Sequence, residues 1–236
     1  MSARFVVPGV WRVTFAKVNV NVYLLDVEGR LVAIDAGPPG GETRLLAGVA
    51  GLGRAASDIT QIVLTHAHAD HAGAADALAR ATGAPVYLHP AEAMFASRGE
   101  PGPNPGAEGR GARMLWSVVR CSAPEGYPPV DVEGALLEGD AVPGGQALRV
   151  VETPGHSPGH IAVVWERPES VLFTGDAAWS RSGPDVGPAN VDGDEARRSF
   201  RRLAGLGFET ACFGRGRPIT PGASTRFRAR AARLGG

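Results

Sequence analysis

Five of the six histidines fall in two short stretches, His66, His68 and His71 in THAHADHAG and His156 and His160 in TPGHSPGH. Imidazoles gathered this way are metal donors before they are anything else, and carboxylates stand beside them at Asp70 and, further on, at Asp176 in FTGDA. The pattern H-x-H-x-D-H arises by chance about twice in ten thousand chains of this length and composition, so it carries weight by itself. Residues two apart on an extended segment point the same way, which lets His66 and His68 share one ion. Asp70 and His71 are adjacent at a helix start, so their side chains diverge and serve a neighbouring position. Nitrogen and carboxylate donors together suit zinc, iron or manganese rather than calcium.

The elements that must hold these residues read as short β-branched strands alternating with alanine-rich helices. Strands are expected at 10–15, 18–25 and 31–34, with a tight break at Glu28-Gly29, followed by a helix over 42–50. A strand at 61–65 then leads into a helix over 70–81, closed by Gly83 as a left-handed cap. Pro85 to Leu88 is another strand. The Pro- and Gly-rich stretch 98–111 reads as a loop or lid, with a short helix at 113–120 after it. Further strands are expected at 132–137, 147–152, 161–165 and 171–174, then a helix over 194–206, a strand at 210–213 and a last helix. The histidine clusters, Asp176 and Gly214-Arg215-Gly216 all come at the carboxyl ends of expected strands, where open sheets gather ligand-binding loops.

Composition bounds the function. The 236 residues suit one layered domain spanning the whole chain, and Lys+Arg 24 against Asp+Glu 24 leaves no basic surplus for bulk binding of nucleic acid or an acidic membrane. Lys17 is the one lysine. Cys121 and Cys212 have no metal or redox spacing and read as buried small apolar residues. The start, MSARFVVPGV, lacks a signal-peptide core, so the expectation is a cytoplasmic protein with no membrane segment. The arginines of RFRARAARL read as the solvated face of the last helix.

From NVNVYLLDVEGRLVAIDAGPPG through THAHADHAG, TPGHSPGH and FTGDA to FGRGRPI, the chain resembles the metallo-β-lactamase-fold superfamily, and within it the glyoxalase II-like branch of small hydrolases. The resemblance covers nearly the whole chain. It implies an α/β fold, a four-layer αββα sandwich of two mixed sheets with outer helices. It further implies a first ion held at His66, His68 and His156, a second at Asp70 and His71, and Asp176 bridging. One position departs from the pattern: where the family has a histidine that completes the second ion, this chain has Arg215. Guanidinium has no acceptor lone pair and stays protonated, so one tight zinc with a weak or absent second is expected, iron and manganese being the other candidates.

The function so implied is hydrolysis of an ester, thioester or lactone by metal-activated water, with Asp70 as proton acceptor, on a small-molecule substrate and with a homodimer left open. Two rivals stand beside it: a mononuclear iron dioxygenase acting on persulfides, and a non-catalytic metal-binding member. Arg215, Trp179 and Tyr127 are candidate substrate contacts, as is Trp116, and Arg215 is equally expected to salt-bridge an orphaned carboxylate such as Asp70 or Asp176. His89 and His160 are expected to support the site rather than ligate, and Asp35 to orient a ligand by hydrogen bonds.

Overall fold

The computed structural model describes residues 3–103, 106–107 and 126–234. The expected helix over 113–120, Trp116, Cys121 and most of the second half of the 98–111 loop lie outside the described residues. The chain forms two compact units. Among the described residues, the first takes those through Gly102, those from 126 to Leu136, and Pro143–Gly145; the second takes the rest.

The first unit is built on a seven-stranded mixed sheet. Strands β1 (Arg4–Val7), β2 (Val10–Phe15), β3 (Val20–Val27) and β4 (Arg30–Ile34) run antiparallel in a meander, and β5 (Ile59–Val63), β6 (Val86–Leu88) and β7 (Gly134–Ala135) continue it in parallel. Glu28 and Gly29 both have positive φ, 54° and 81°, the backbone that a two-residue hairpin between twisted strands requires. Helices α1 (Glu42–Gly51) and α3 (Ala75–Thr82) bury Leu45, Val49 and Leu78 in one core with Val22, Leu24 and Ile62 of the sheet. The periodic apolar stripe of each helix thus meets the alternating face of the strands.

Four sequence expectations change here. The helix over 70–81 is divided into α2 (Ala69–Ala72) and α3, because the Ala74 N–H donates to the Gly37 carbonyl at 3.0 Å instead of to its own helix. Gly83 does close α3 in the left-handed conformation. The strand expected at 132–137 shrinks to the two residues of β7, since its neighbour β6 stops at Leu88 and offers little to pair with. β6 stops because Pro90 opens a helix, α4 (Pro90–Ala96), that the sequence reading passed over. His89 is its N-cap, its Nδ1 accepting from the Ala91 N–H at 3.2 Å. The edge strand β1 was likewise not expected.

The second unit has a five-stranded mixed sheet of β8 (Ala141–Val142), β9 (Gly145–Glu152), β10 (Ile161–Trp165), β11 (Val171–Phe173) and β14 (Thr210–Cys212), of which β11 and β14 pair in parallel. A three-stranded ribbon joins β12 (Trp179–Ser180), β13 (Pro184–Asp185) and β15 (Arg215–Gly216). Helices α5 (Gly193–Ala204) and α6 (Ala223–Ala231) close an aromatic core in which Phe227 stacks on Phe200 with ring centroids 4.9 Å apart. Asp192 caps α5 by accepting from the Glu195 N–H. Cys212 is buried among apolar residues, as its type suggests. No helix among the described residues is long and apolar enough to cross a membrane.

Candidate metal centre

In the first unit the chain leaves β5, passes Thr65, and presents His66 and His68 before α2 begins. Ring nitrogens of His66 and His68 come within 4.8 Å of each other, as do those of His66 and His71. This loop is gripped at its centre. The Ala67 N–H donates to Glu92 Oε2 of α4 at 2.9 Å, and the Ala67 carbonyl accepts from the Tyr127 hydroxyl at 2.7 Å. Both backbone groups of the residue between the two histidines are therefore fixed by side chains. Glu92 is fully buried, and Tyr127 nearly so; burial first, and then the negative charge of Glu92, raise the Tyr127 pKa above its ordinary value.

Asp35, at the end of β4, has φ +65°, a left-handed backbone that aspartate tolerates better than most residues. Its buried carboxylate accepts from the Thr65 N–H at 2.8 Å and from His71 Nδ1 at 2.7 Å. A proton held on Nδ1 leaves Nε2 of a neutral His71 with its lone pair, the form a metal needs. His66 Nδ1 is similarly 3.0 Å from Thr65 Oγ1. Asp70 sits partly exposed in the first turn of α2, adjacent to His71.

In the second unit, the turn Thr153-Pro154-Gly155 after β9 presents His156, whose Nδ1 donates to the Ala189 carbonyl at 2.7 Å. A carbonyl can only accept, so neutral His156 keeps its lone pair on Nε2, which lies 3.7 Å from Asp176 Oδ2. His160 plays a different part. Its Nε2 accepts from the Asp176 N–H at 3.0 Å, while its Nδ1 lies 2.7 Å from Thr153 Oγ1, which holds the ring in place.

Arg215 is 6% exposed, and its Nε donates to Asp176 Oδ2 at 2.7 Å. The parallel register of β12 and β15 sets Trp179 beside Arg215, and the guanidinium carbon lies 5.1 Å from the Trp179 ring centroid. Gly214 allows the approach: a Cβ there would fall 2.5 Å from Asp176 Oδ1. Arg215 thus meets a carboxylate, and the pair compensates two charges that burial would otherwise penalise.

Each unit therefore carries donors of the chemistry read from the sequence: His66, His68, Asp70 and His71 in the first, His156 and Asp176 in the second. The set of imidazole nitrogens and carboxylate oxygens fits a transition-metal ion, with tautomers directed by the protein at His71 and His156. Of the candidate substrate contacts, Trp179 is half-buried, Arg215 is committed to Asp176, and Tyr127 makes its polar contact with the histidine loop. Sequence reasoning missed Glu92. Its one signal was a glutamate among small and apolar residues in PAEAMFA, where a buried acid must be satisfying something.

Residues 16–215 match the family model described as the metallo-beta-lactamase superfamily. The probable metallo-hydrolase YflN of Bacillus subtilis (strain 168) is 29% identical over 220 residues, 85% of this chain and 81% of that protein. A hydroxyacylglutathione hydrolase of Cereibacter sphaeroides is 36% identical over 121 residues, which are 50% of this chain but 34% of that enzyme. BJP-1, a subclass B3 metallo-beta-lactamase of Bradyrhizobium japonicum, matches with a TM-score of 0.71 at 22% identity over 99% of this chain and 92% of its own, a likeness of fold.

Proposed function

Because the chain belongs to the metallo-beta-lactamase superfamily, we propose that it is a metal-dependent hydrolase of a small ester, thioester or lactone. The observation that supports this most directly is the direction of the His156 lone pair, with Nδ1 committed to the Ala189 carbonyl and Nε2 left to bind. In this reading His66, His68 and His156 hold one zinc ion. When bound, such an ion lowers the pKa of a water toward ~7 and polarises the carbonyl to be attacked. Asp70 accepts the proton on its carboxylate.

Arg215 supplies at Asp176 the positive charge that the family pattern assigns to a second ion. The proposal is therefore a mononuclear centre. Hydroxyacylglutathione hydrolase among the relatives supports thioester or ester chemistry without naming this chain's acyl group.

Elemental analysis of protein purified without added metal tests the centre: about one zinc per chain is expected, rising toward two in Arg215→His. Two ions in the natural chain would overturn the account of Arg215, and one iron would overturn the choice of zinc. A panel of esters, thioesters and lactones tests the reaction. Asp70→Asn is expected to lower kcat by about 10²–10⁴-fold, the usual worth of a general base, while the tight ion stays bound. Unchanged turnover in that variant would remove Asp70 from the mechanism.

A further inference from the structure

The second unit carries a cleft of about 540 Å³ that the hydrolytic reading does not use. Among the described residues that line it are four arginines, Arg181, Arg226, Arg230 and Arg233, and one carboxylate, Asp185. The three from the end of the chain are spaced i, i+4 and i+7 along α6 and the turn after it, so they form one stripe. Like charges at these spacings destabilise a helix. The stripe cannot rotate away, because Ala223 and Phe227, roughly a quarter-turn round α6 from it, are buried in the aromatic core.

Asp185 relieves part of this repulsion by pairing with Arg230 at 2.8 Å. The remainder of the charge faces the cleft. It is a local excess in a chain whose formal net charge is zero, so it is not a by-product of overall composition. Trp179 supplies a flat apolar wall, and the same ring lies under the Arg215 guanidinium. Guanidinium forks match carboxylate, phosphoryl and sulfonyl oxygens, and an indole face accepts a planar organic body.

The geometry points to a binding site for a small organic anion carrying two or more anionic groups. Arg226, Arg233 and Arg181 take the charged groups, Arg230 is held in place by Asp185, and Trp179 covers the body of the ligand. Binding here needs neither an ion nor turnover.

Calorimetric titration of the full chain with naphthalene-1,5-disulfonate tests the site, since sulfonates are weak metal ligands and do not report on the histidines. Saturable binding is expected, weakened at least about tenfold in the double variant Arg226→Gln/Arg233→Gln and weakened again by added salt. Both positions are exposed, and an unchanged melting temperature confirms that the variant is folded. Naphthalene-1,5-diol, of the same shape without charge, is expected not to bind. Parallel titrations with inorganic phosphate and benzene-1,3,5-tricarboxylate distinguish a phosphoryl from a carboxylate ligand, and tighter binding of either supports the site. Absence of saturable binding by every anion, equal affinity for the diol, or an unchanged affinity in the double variant would each overturn it. None of these results depends on whether the protein is a hydrolase.

Discussion

The two units present metal donors in contrasting ways. In the first, His66, His68 and His71 lie within one short loop and helix start, and their orientation depends on side chains brought from elsewhere, Asp35, Glu92 and Tyr127. In the second, His156 and Asp176 come from separate strand ends, and the partner that sets His156 is a main-chain carbonyl. A carbonyl is present whatever residue occupies the position, whereas a carboxylate can be lost in one substitution. The first group of donors is thus compact but exposed to mutation of its supports; in the second, His156 is anchored on backbone while Asp176 relies on the side chains of His160 and Arg215.

Removing a donor from either unit should have the largest effect and erase the contrast. His66→Ala and His156→Ala are each expected to abolish stoichiometric metal binding in elemental analysis and to lower kcat/KM by more than about 100-fold, the upper range for losing a mere support. Loss in one variant alone would mean that the two units do not serve the same ion.

Removing supports should restore the contrast. Asp35→Asn is expected to weaken metal binding by about 10–100-fold in a competitive chelator titration, because Asp35 holds Thr65, whose hydroxyl lies 3.0 Å from Nδ1 of the ligand His66. Ala189→Gly keeps its carbonyl and is expected to leave metal affinity unchanged. Equal losses in the two variants would contradict the distinction between side-chain and backbone anchoring.

Smaller effects come from the grip on Ala67. Glu92→Ala leaves a buried N–H unsatisfied and is expected to cost about 1–3 kcal/mol, read as a fall in melting temperature of roughly 2–4 °C per kcal/mol. Tyr127→Phe should cost about 0.5–1.5 kcal/mol in denaturant unfolding. Because folding raises the Tyr127 pKa, the unfolded chain releases this proton first. The contribution is complete below the ordinary tyrosine pKa of about 10 and is lost as pH rises through that value and above. Tyr127→Phe should therefore flatten the alkaline side of the stability profile, and an unaltered profile would dispose of the burial argument.

The donors were legible because strand ends and spacing are local properties: THAHADHAG and TPGHSPGH declare themselves within a few residues. Most strand positions followed from β-branched runs, and Gly83 marked its helix end correctly. What holds the donors was harder to read. Glu92 meets Ala67 across 25 positions of sequence and Tyr127 meets it across 60, separations over which no periodicity carries information. The interruption between α2 and α3 was hidden for the same reason, since its cause is the distant Gly37 carbonyl. Arg215 was visible as a departure with Asp70 and Asp176 as its expected partners, and the structure selects Asp176.

The Arg215–Asp176 pair has a consequence for supply. A counter-charge built into the polypeptide is acquired at translation, in fixed stoichiometry, and stays when the surrounding metal pool is depleted. A chelator cannot strip it and a competing divalent ion cannot exchange for it, so at Asp176 the protein answers to its gene rather than to the mineral content of its surroundings.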